Sequence, residues 1–285
     1  MKKSQLKYSR GYLAHKPYQK KIKKRTSRRY AVIFFGGLFL TLILSYTLFF
    51  SPIFQIKEIR ISGNRIIEEK EILDFLNNFL QKKVLIFFNR NNIFLVSDSK
   101  LKEIFTENFP RIYSIKVKKN LFKKTISLEI KERQEIGILC KIQKQQEKTL
   151  QEVVKNCYYF DKDGIIFEEA PQTSGSLLLL IKDLSSKELR LRENVLSREL
   201  LEKIIQIRTS LSNQLNLKIS DFEINSSIPS SLKANTVEGW YIFFNTAQGI
   251  DKQIQALELV LDKKIENRKE LEYIDLRIEN KVYYK

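Results

Sequence analysis

The sequence predicts an α+β protein in which one N-terminal transmembrane helix precedes two domains that combine sheets with helices. Three observations support this prediction. Residues 31–51 form an apolar run of 21 residues without a charge. Residues 54–133 show helical and period-two hydrophobic patterns in the order β-α-α-β-β. Residues 134–285 contain further strand patterns and two amphipathic helices.

Positive charge is concentrated before the apolar run. The net charge is +18, and residues 1–30 hold twelve Lys or Arg and no Asp or Glu. The rest of the chain, with 39 basic and 33 acidic side chains, is only mildly basic. We interpret residues 1–30 as a cytoplasmic tail that sets topology and binds anionic lipid, with recruitment of a cytoplasmic partner as the alternative. No aromatic framework or motif supports nucleic-acid binding.

The apolar run has the length of a membrane span. At ~1.5 Å per residue, a helix over residues 31–51 reaches ~30 Å, the thickness of the hydrocarbon core. A cleaved signal peptide is the alternative. The run exceeds the ~7–15 residues of a signal core, and no small-x-small cleavage site follows it. Because basic flanks stay in the cytoplasm, residues 52–285 are expected outside the membrane.

Two helices are expected between the first strands. After a strand within residues 54–64, the segment 68–80 places its apolar residues on one helical face: Ile72, Leu73, Leu76, Phe79 and Leu80. Ser97 or Asp98 can cap a second helix, with Leu101, Ile104 and Phe105 facing inward, and Pro110 stops it.

A hairpin closes this first domain. "YSIKVKK" and "TISLEIKE" both alternate apolar and polar residues, and "NLFKK" links them. Period two on both sides of a short link predicts two antiparallel strands with one buried face.

The second domain is read in the same way. Asp163-Gly164 between apolar runs predicts a hairpin turn. Residues 196–211 predict a helix whose inward positions are Leu200, Leu201, Ile204, Ile205 and Leu211. The segment 249–265 predicts another helix with an apolar stripe of Ile250, Ile254, Leu257 and Leu261. Residues 174–183 predict a buried strand or a short core segment, and strands are expected in residues 217–225, 239–245 and 273–280. The last residues, "KVYYK" (281–285), predict a short aromatic strand at a sheet edge. Trp240 is expected in or beside the core.

Few residues outside the membrane suggest chemistry. His15 is the sole histidine and lies in the tail, so neither a Ser-His pair nor a metal site is expected outside. The acidic cluster Asp161, Asp163, Glu168 and Glu169 has paired catalytic carboxylates or a metal site as its alternative. We favour the interpretation that Asp161 and Asp163 flank a turn and are solvated. Glu132 and Arg133 are interpreted as a surface ion pair. We therefore expect no enzyme and no cofactor.

The two cysteines leave a choice open. Cys140 and Cys157 flank a polar excursion, residues 141–156, and both fall outside the membrane, where disulfides persist. A bridge would staple the base of this excursion. Two buried free thiols are the alternative.

Several segments together resemble the FtsQ/DivIB family of bacterial cell-division proteins. The β-α-α-β-β order after a membrane anchor resembles a POTRA domain, with Pro110 before the hairpin and Glu132-Arg133 after its last strand. "YYFDKDGIIFEEA" resembles the start of the family's second, β-rich domain, and "YIDLRIENKVYYK" resembles its end. Leu121-Phe122 departs from the family, which often has a Pro in this link. The polar excursion 141–156 looks like an insertion.

The resemblance implies a function and an organisation. It implies a tail (1–30), a transmembrane helix (31–51), a POTRA domain (54–133) and a β domain (134–285). It also implies a non-catalytic scaffold of the divisome at the septum, single-pass in the plasma membrane. Its partners would be FtsB- or DivIC-type and FtsL-type bitopic proteins, bound by strand addition at Ile278, Asn280, Lys281, Val282, Tyr283 and Tyr284. A POTRA-containing assembly or transport protein and an anchored cell-wall enzyme are the alternatives.

Overall fold

The computed structural model describes residues 17–84, 88–89, 91–144, 152–175, 177–225, 228 and 230–285. His15, the tail before residue 17 and part of the polar excursion lie outside the described residues. The architecture is α+β with a long N-terminal helix, as the sequence predicts. The strands form sheets of three, nine and two strands.

Helix α1 (Pro17–Phe50) is longer than the predicted span, because it includes residues 17–30 of the basic tail. Its segment Arg28–Leu48 is long and apolar enough to cross a membrane. After the helix ends, Pro52 begins a 3-10 turn, Pro52–Phe54, and the Ser51 hydroxyl accepts the N–H of Ile53. Proline suits the first position of such a turn because its missing N–H would have no partner there.

The elements after this turn follow the predicted order. They are β1 (Glu58–Ser62), α2 (Glu69–Gln81), β2 (Lys83–Val84), β3 (Phe88–Asn89), α3 (Asp98–Asn108), β4 (Ile112–Asn120) and β5 (Thr125–Glu132). The long strands form a three-stranded sheet in the order β1-β5-β4. The short strands β2 and β3 pair antiparallel with each other, which the sequence analysis did not predict.

Residue contacts divide the described chain into two compact units. The first contains residues up to 60, 70–97 and 118–127, and the second contains 61–69, 98–117 and 128–285. In the first unit the apolar face of α2 is buried through Ile72, Leu76 and Leu80. These units do not follow the boundaries 54–133 and 134–285, which stay a prediction.

The second unit contains a mixed sheet. Its strands are β6 (Gly137–Lys144), β7 (Glu152–Phe160), β8 (Ile166–Ala170), β9 (Leu179–Asp183), β10 (Ile219–Ile224), β11 (Ser231–Thr236), β12 (Tyr241–Asn245), β13 (Tyr273–Asp275) and β14 (Tyr283–Tyr284). Their order is β14-β13-β12-β11-β10-β9-β6-β7-β8. The pairs β6·β9, β9·β10 and β12·β13 are parallel, and the neighbours joined by hairpins are antiparallel.

Helices α4 (Arg198–Leu215) and α5 (Ile250–Lys263) build the core of this sheet. The stripe of α5 is buried as predicted, and so is Trp240. The predicted stripe of α4 is wrong at Ile205, which is exposed. The buried positions are Leu201, Ile204, Ile207, Leu211 and Leu215, which recur every three or four residues as one helical face requires.

The turn at Asp161 differs from the predicted solvated turn. Asp161 is buried, and its Oδ1 accepts the N–H groups of Asp163 and Ile165 at 2.9 and 3.0 Å. Its Oδ2 accepts a hydrogen bond from the guanidinium of Arg133. This carboxylate can be buried because each of its oxygens accepts a hydrogen bond.

The predicted ion pair between Glu132 and Arg133 is therefore wrong, since both side chains have other partners. The Glu132 carboxylate accepts the backbone N–H groups of Arg65, Ile66 and Ile67 at 2.9–3.2 Å. Neighbouring strand residues point to opposite faces, so they seldom pair with each other.

Cys140 and Cys157 face each other across β6 and β7 and form a disulfide. The described parts of the excursion 141–156 extend these two strands, as residues 141–144 and 152–156. Residues 145–151 lie outside the described residues.

Candidate partner-binding edge of the large sheet

Strand β14 is the outermost strand of the nine-stranded sheet. It pairs antiparallel with β13, with Tyr284 opposite Ile274 and Tyr283 opposite Asp275. The pairing continues into Lys285, whose N–H donates to the carbonyl of Tyr273 at 3.2 Å. The structure therefore has a short aromatic strand at the edge of this sheet.

The backbone N–H and C=O groups of Tyr284 point away from β13. In an antiparallel pair, alternate residues exchange both backbone hydrogen bonds with the partner strand, and those between them direct N–H and C=O outward. Lys285 exchanges such bonds with Tyr273, since the Tyr273 N–H donates to the Lys285 carbonyl at 3.3 Å. Tyr284, next in line, therefore presents its N–H and C=O to the open edge.

The predicted strand over residues 273–280 is wrong in its length. The strand β13 ends at Asp275, and the Leu276 N–H still donates to the carbonyl of Phe243 at 2.9 Å. The chain then turns, with the Lys281 N–H donating to the Ile278 carbonyl at 3.1 Å and Asn280 in the left-handed region at φ 60°. Asparagine tolerates this conformation better than most residues.

Four of the six residues predicted to bind a partner line one groove. Ile278, Asn280, Lys281 and Val282 form one side of a cavity of about 470 Å³. Its other side comes from the N-terminal half of α5, with Gln248, Gly249, Lys252, Gln253 and Ala256. Tyr283 and Tyr284 lie beside it on β14, and their side chains are 48% and 46% exposed. The structure thus brings the six residues to one end of the sheet.

The sheet face opposite the helices carries an aromatic row next to this edge. Tyr241 stacks on Tyr273 with ring centroids 5.8 Å apart and meets Phe243 edge-on at 5.3 Å. Lys233 lies over the Tyr241 ring at 4.4 Å, and Arg277 lies over the Phe243 ring at 4.3 Å. Cations over aromatic faces are favoured by the charge distribution of the ring.

This row is continuous with Tyr283. Lys233 pairs with Phe243, Phe243 with Asp275, and Asp275 with Tyr283 across four successive strands. Directly paired residues share a face of the sheet. Tyr283 therefore extends the aromatic row to the edge, whereas Tyr284 shares the core face with Ile274.

The charges of this surface are fixed by close pairs. Arg277 donates to both carboxylate oxygens of Asp275, at 2.9 and 3.1 Å from Nε. Burial opposes ionisation of Asp275, but the hydrogen bonds and charge of Arg277 outweigh it and lower the pKa of the carboxyl. The side-chain hydrogen bond with Glu272 raises the pKa of Lys285.

Sequence reasoning did not find the aromatic row. The strand β11 that carries Lys233 has the polar sequence "SLKANT", and its partners come from β12 and β13. The alternation of "YIFFN" was the available signal, because Tyr241 and Phe243 fall on one face while Ile242 and Phe244 are fully buried. Within the described residues, no group of three or more His, Cys, Asp or Glu is placed to hold a metal ion.

Comparison with known proteins gives one informative match. The chain is 26% identical over 235 residues to the cell division protein DivIB of Clostridium acetobutylicum. The aligned region covers 82% of this chain and 83% of that relative. No protein-family model matches the chain.

The long apolar helix, the α+β architecture and this relative together indicate a membrane-anchored protein of bacterial cell division. The similarity to this relative confirms the resemblance to the FtsQ/DivIB proteins noted in the sequence. This similarity supports a role in cell division.

Proposed function

We propose that this protein is a non-catalytic scaffold of the divisome. In this proposal an FtsB- or DivIC-type bitopic protein adds a β-strand to the open edge of β14, and an FtsL-type protein joins the same assembly. The observation that carries the proposal is the outermost position of β14, with the Tyr284 backbone directed away from the sheet. Strand addition gains its affinity from such backbone groups.

The side chains around β14 support a specific partner strand. Tyr283 and Tyr284 are about half exposed and lie on opposite faces of the edge. Tyrosine contributes a large contact area with little conformational entropy to lose, which suits an anchor at an interface. A strand bound at this edge contacts one tyrosine on each of its faces.

The groove beside β14 supports a partner that continues past the strand. Its walls combine apolar Ile278 and Val282 with Asn280, two lysines and one glutamate: Lys252, Lys281 and Glu279. A segment with apolar residues and a few acidic side chains fits this lining. We propose that the segment of the partner next to its added strand occupies the groove.

The direction of the chain in the membrane follows from its charge. We propose that the N-terminus is cytoplasmic and that residues 52–285 are extracytoplasmic, because twelve basic residues precede the apolar run. The tail then lies next to anionic lipid. A further divisome contact is proposed at an edge of the three-stranded sheet, β1-β5-β4, which lies in the predicted POTRA domain.

The two alternative functions have less support. An anchored cell-wall enzyme needs a reactive group beside a base. Three of the four acidic residues that cluster in the sequence, Asp161, Glu168 and Asp163, are instead engaged by arginines. An assembly or transport protein does not account for the match to a cell division protein over most of both chains.

The proposal is tested by titrating the extracytoplasmic segment of the organism's own FtsB- or DivIC-type protein into the full chain in lipid nanodiscs. Calorimetry is run for the wild type and for a chain truncated after Asn280, with circular dichroism to show that both fold. Binding by the wild type alone supports docking at β14. Equal binding by both chains places the contact elsewhere, and binding by neither contradicts the scaffold function.

A further inference from the structure

The turn between β4 and β5 exposes two large apolar side chains. Leu121 is 46% exposed and Phe122 is 99% exposed. Four lysines flank them in the sequence "KKNLFKK", at positions 118, 119, 123 and 124. A fully exposed phenylalanine costs free energy in water, so this tip has the composition of a surface that meets an apolar, negatively charged phase.

The tip has a defined conformation. The side chain of Asn120 accepts the N–H of Lys123 at 2.9 Å, and Thr125 donates from its hydroxyl to the carbonyl of Lys123 at 3.2 Å. Lys124 takes a left-handed conformation at φ 57° and reverses the chain. The side chains of Asn120 and Thr125 therefore hold the turn in a conformation that leaves Phe122 exposed.

Hydrogen bonds tie this turn to the start of β1. The N–H of Lys57 donates to the carbonyl of Lys124 at 2.9 Å, and the hydroxyl of Thr125 donates to the carboxylate of Glu58 at 3.3 Å. The starts of β1 and β5 therefore lie side by side, both in the first compact unit.

The start of β1 is close to the end of the membrane helix. Seven residues lead from Phe50 to Lys57, a reach of at most ~25 Å. The connection is shorter than that, because Asn92 donates from Nδ2 to the Leu48 carbonyl at 2.9 Å. Residues beside Asn92 hold the linker, with the Ile56 N–H donating to Asn91 and the Ile93 N–H to Phe54.

Charge completes the match with a membrane surface. Lys57, Lys118 and Lys123 are exposed around the turn, whereas Lys119 donates to the Val96 carbonyl. The nearby carboxylate of Glu58 is paired with Arg60 at 2.7 Å. Each lysine near an anionic bilayer adds to the attraction, and lysine stems extend along apolar surface while the ammonium groups remain at the phosphates.

From these contacts we propose that the β4–β5 turn, residues 120–124, is a membrane-contacting wedge. Leu121 and Phe122 enter the headgroup region of the leaflet from which the anchor helix emerges, and the surrounding lysines bind its anionic lipids. This contact is separate from the lipid contact of the tail, which belongs to the opposite side of α1. It needs the membrane anchor but not partner docking at β14.

The wedge fixes the orientation of the first compact unit at the membrane. A single transmembrane helix can tilt in the bilayer together with the unit attached to it, whereas a second contact point restricts this tilt. A second copy of the chain or a protein ligand is a less suitable occupant. The tip offers two apolar side chains among lysines, which is too small an area for a stable protein interface.

The test uses the full chain in nanodiscs that contain phosphatidylglycerol with bromine atoms on the upper acyl carbons, which quench a nearby tryptophan. Phe122→Trp is compared with Val237→Trp, a matched exposed turn position flanked by Thr236 and Glu238. The native Trp240 is buried, and the wild type gives its background. We expect strong quenching for Phe122→Trp and much weaker quenching for Val237→Trp.

Charge reversal provides the second measurement. Lys118→Glu with Lys123→Glu in the Phe122→Trp chain should reduce quenching several-fold, and so should replacement of phosphatidylglycerol by brominated phosphatidylcholine. Quenching that is equal at positions 122 and 237, or absent at 122, overturns the proposal. If quenching at position 122 is changed neither by the Lys→Glu substitutions nor by the exchange of lipid, the proposed role of the lysines is wrong.

Discussion

Arg133 donates a hydrogen bond to the buried carboxylate of Asp161, 28 residues further along the chain. Only 13% and 2% of these two side chains are exposed. Arg133 also donates from Nε to the carbonyl of Pro110 at 3.1 Å. The Arg133 guanidinium therefore connects Pro110, which precedes β4, with Asp161 in the turn between β7 and β8.

Replacing Arg133 by Ala should strongly destabilise the protein. It leaves the Asp161 carboxylate buried beside an empty site, and breaking a buried pair in this way costs about 3–5 kcal/mol. Chemical denaturation followed by circular dichroism measures the loss. The matched control is Arg198→Ala, which breaks an Arg–Asp pair at the same turn whose arginine is 61% exposed. That loss should stay below about 1 kcal/mol, and similar losses for both variants would contradict the account.

The Cys140–Cys157 bridge should stabilise the β6–β7 hairpin. It closes a loop with a sequence separation of 17 residues. Closing such a loop is worth roughly 3 kcal/mol through the unfolded state. The double variant Cys140→Ser and Cys157→Ser should lose about this much free energy of unfolding.

Thiol counting checks the same bridge directly. The unfolded, unreduced protein should react with no alkylating agent, and the reduced protein should take up two equivalents. Two reactive thiols in protein purified without a reductant would show that the cysteines are free, the alternative that the sequence left open.

Gly164 should not tolerate a side chain. Its φ is +73°, and an added Cβ would lie 2.0 Å from the backbone carbonyl oxygen of Leu196. Gly164→Ala should cost more than the ~1 kcal/mol of an unfavourable backbone angle alone, since the β7–β8 turn must also move. Gly249→Ala is the control, because its φ is −65° and nothing lies within 4 Å of the added atom. Thermal unfolding of the two variants should separate them clearly, and equal midpoints would count against the turn geometry.

The Asp275–Arg277 pair predicts a stability change at acidic pH. The folded state lowers the pKa of Asp275, so its contribution is fully present above the ordinary Asp pKa and is lost as pH falls through the lower, folded value. Asp275→Asn should flatten this part of the stability profile, measured by urea denaturation from about pH 6 to pH 2. Asp262→Asn, on the exposed side of α5, should retain the wild-type slope. An unchanged slope in Asp275→Asn would contradict the pairing.

Periodicity in the sequence predicted most of the helices and long strands. Ile72, Leu76 and Leu80 recur at helical spacing, and "TISLEIKE" alternates, because each element has one buried face. Such patterns depend on neighbours along the chain alone. This is why α2, α5 and the β4–β5 hairpin were predicted close to their observed limits.

Features that depend on distant partners were not predicted. From the sequence, Asp161 was predicted as a solvated turn residue, but in the structure Arg133 donates to its carboxylate. Glu132 was predicted as a surface charge, but its carboxylate accepts the N–H groups of residues 65–67. The predicted edge position of "KVYYK" agrees with the sheet order, in which β14 is outermost. The binding of a partner at this edge stays a prediction.

The most direct test of the scaffold account compares Tyr284→Pro with Tyr284→Ala. Proline removes the outward backbone N–H of β14 and is tolerated at a sheet edge, whereas alanine removes the side chain and keeps the N–H. Both full-length variants are titrated in nanodiscs with the extracytoplasmic segment of the FtsB- or DivIC-type partner. The account predicts that proline weakens binding at least tenfold and by more than alanine does, with both chains folded. Wild-type affinity in the proline variant would show that β14 is not the docking strand.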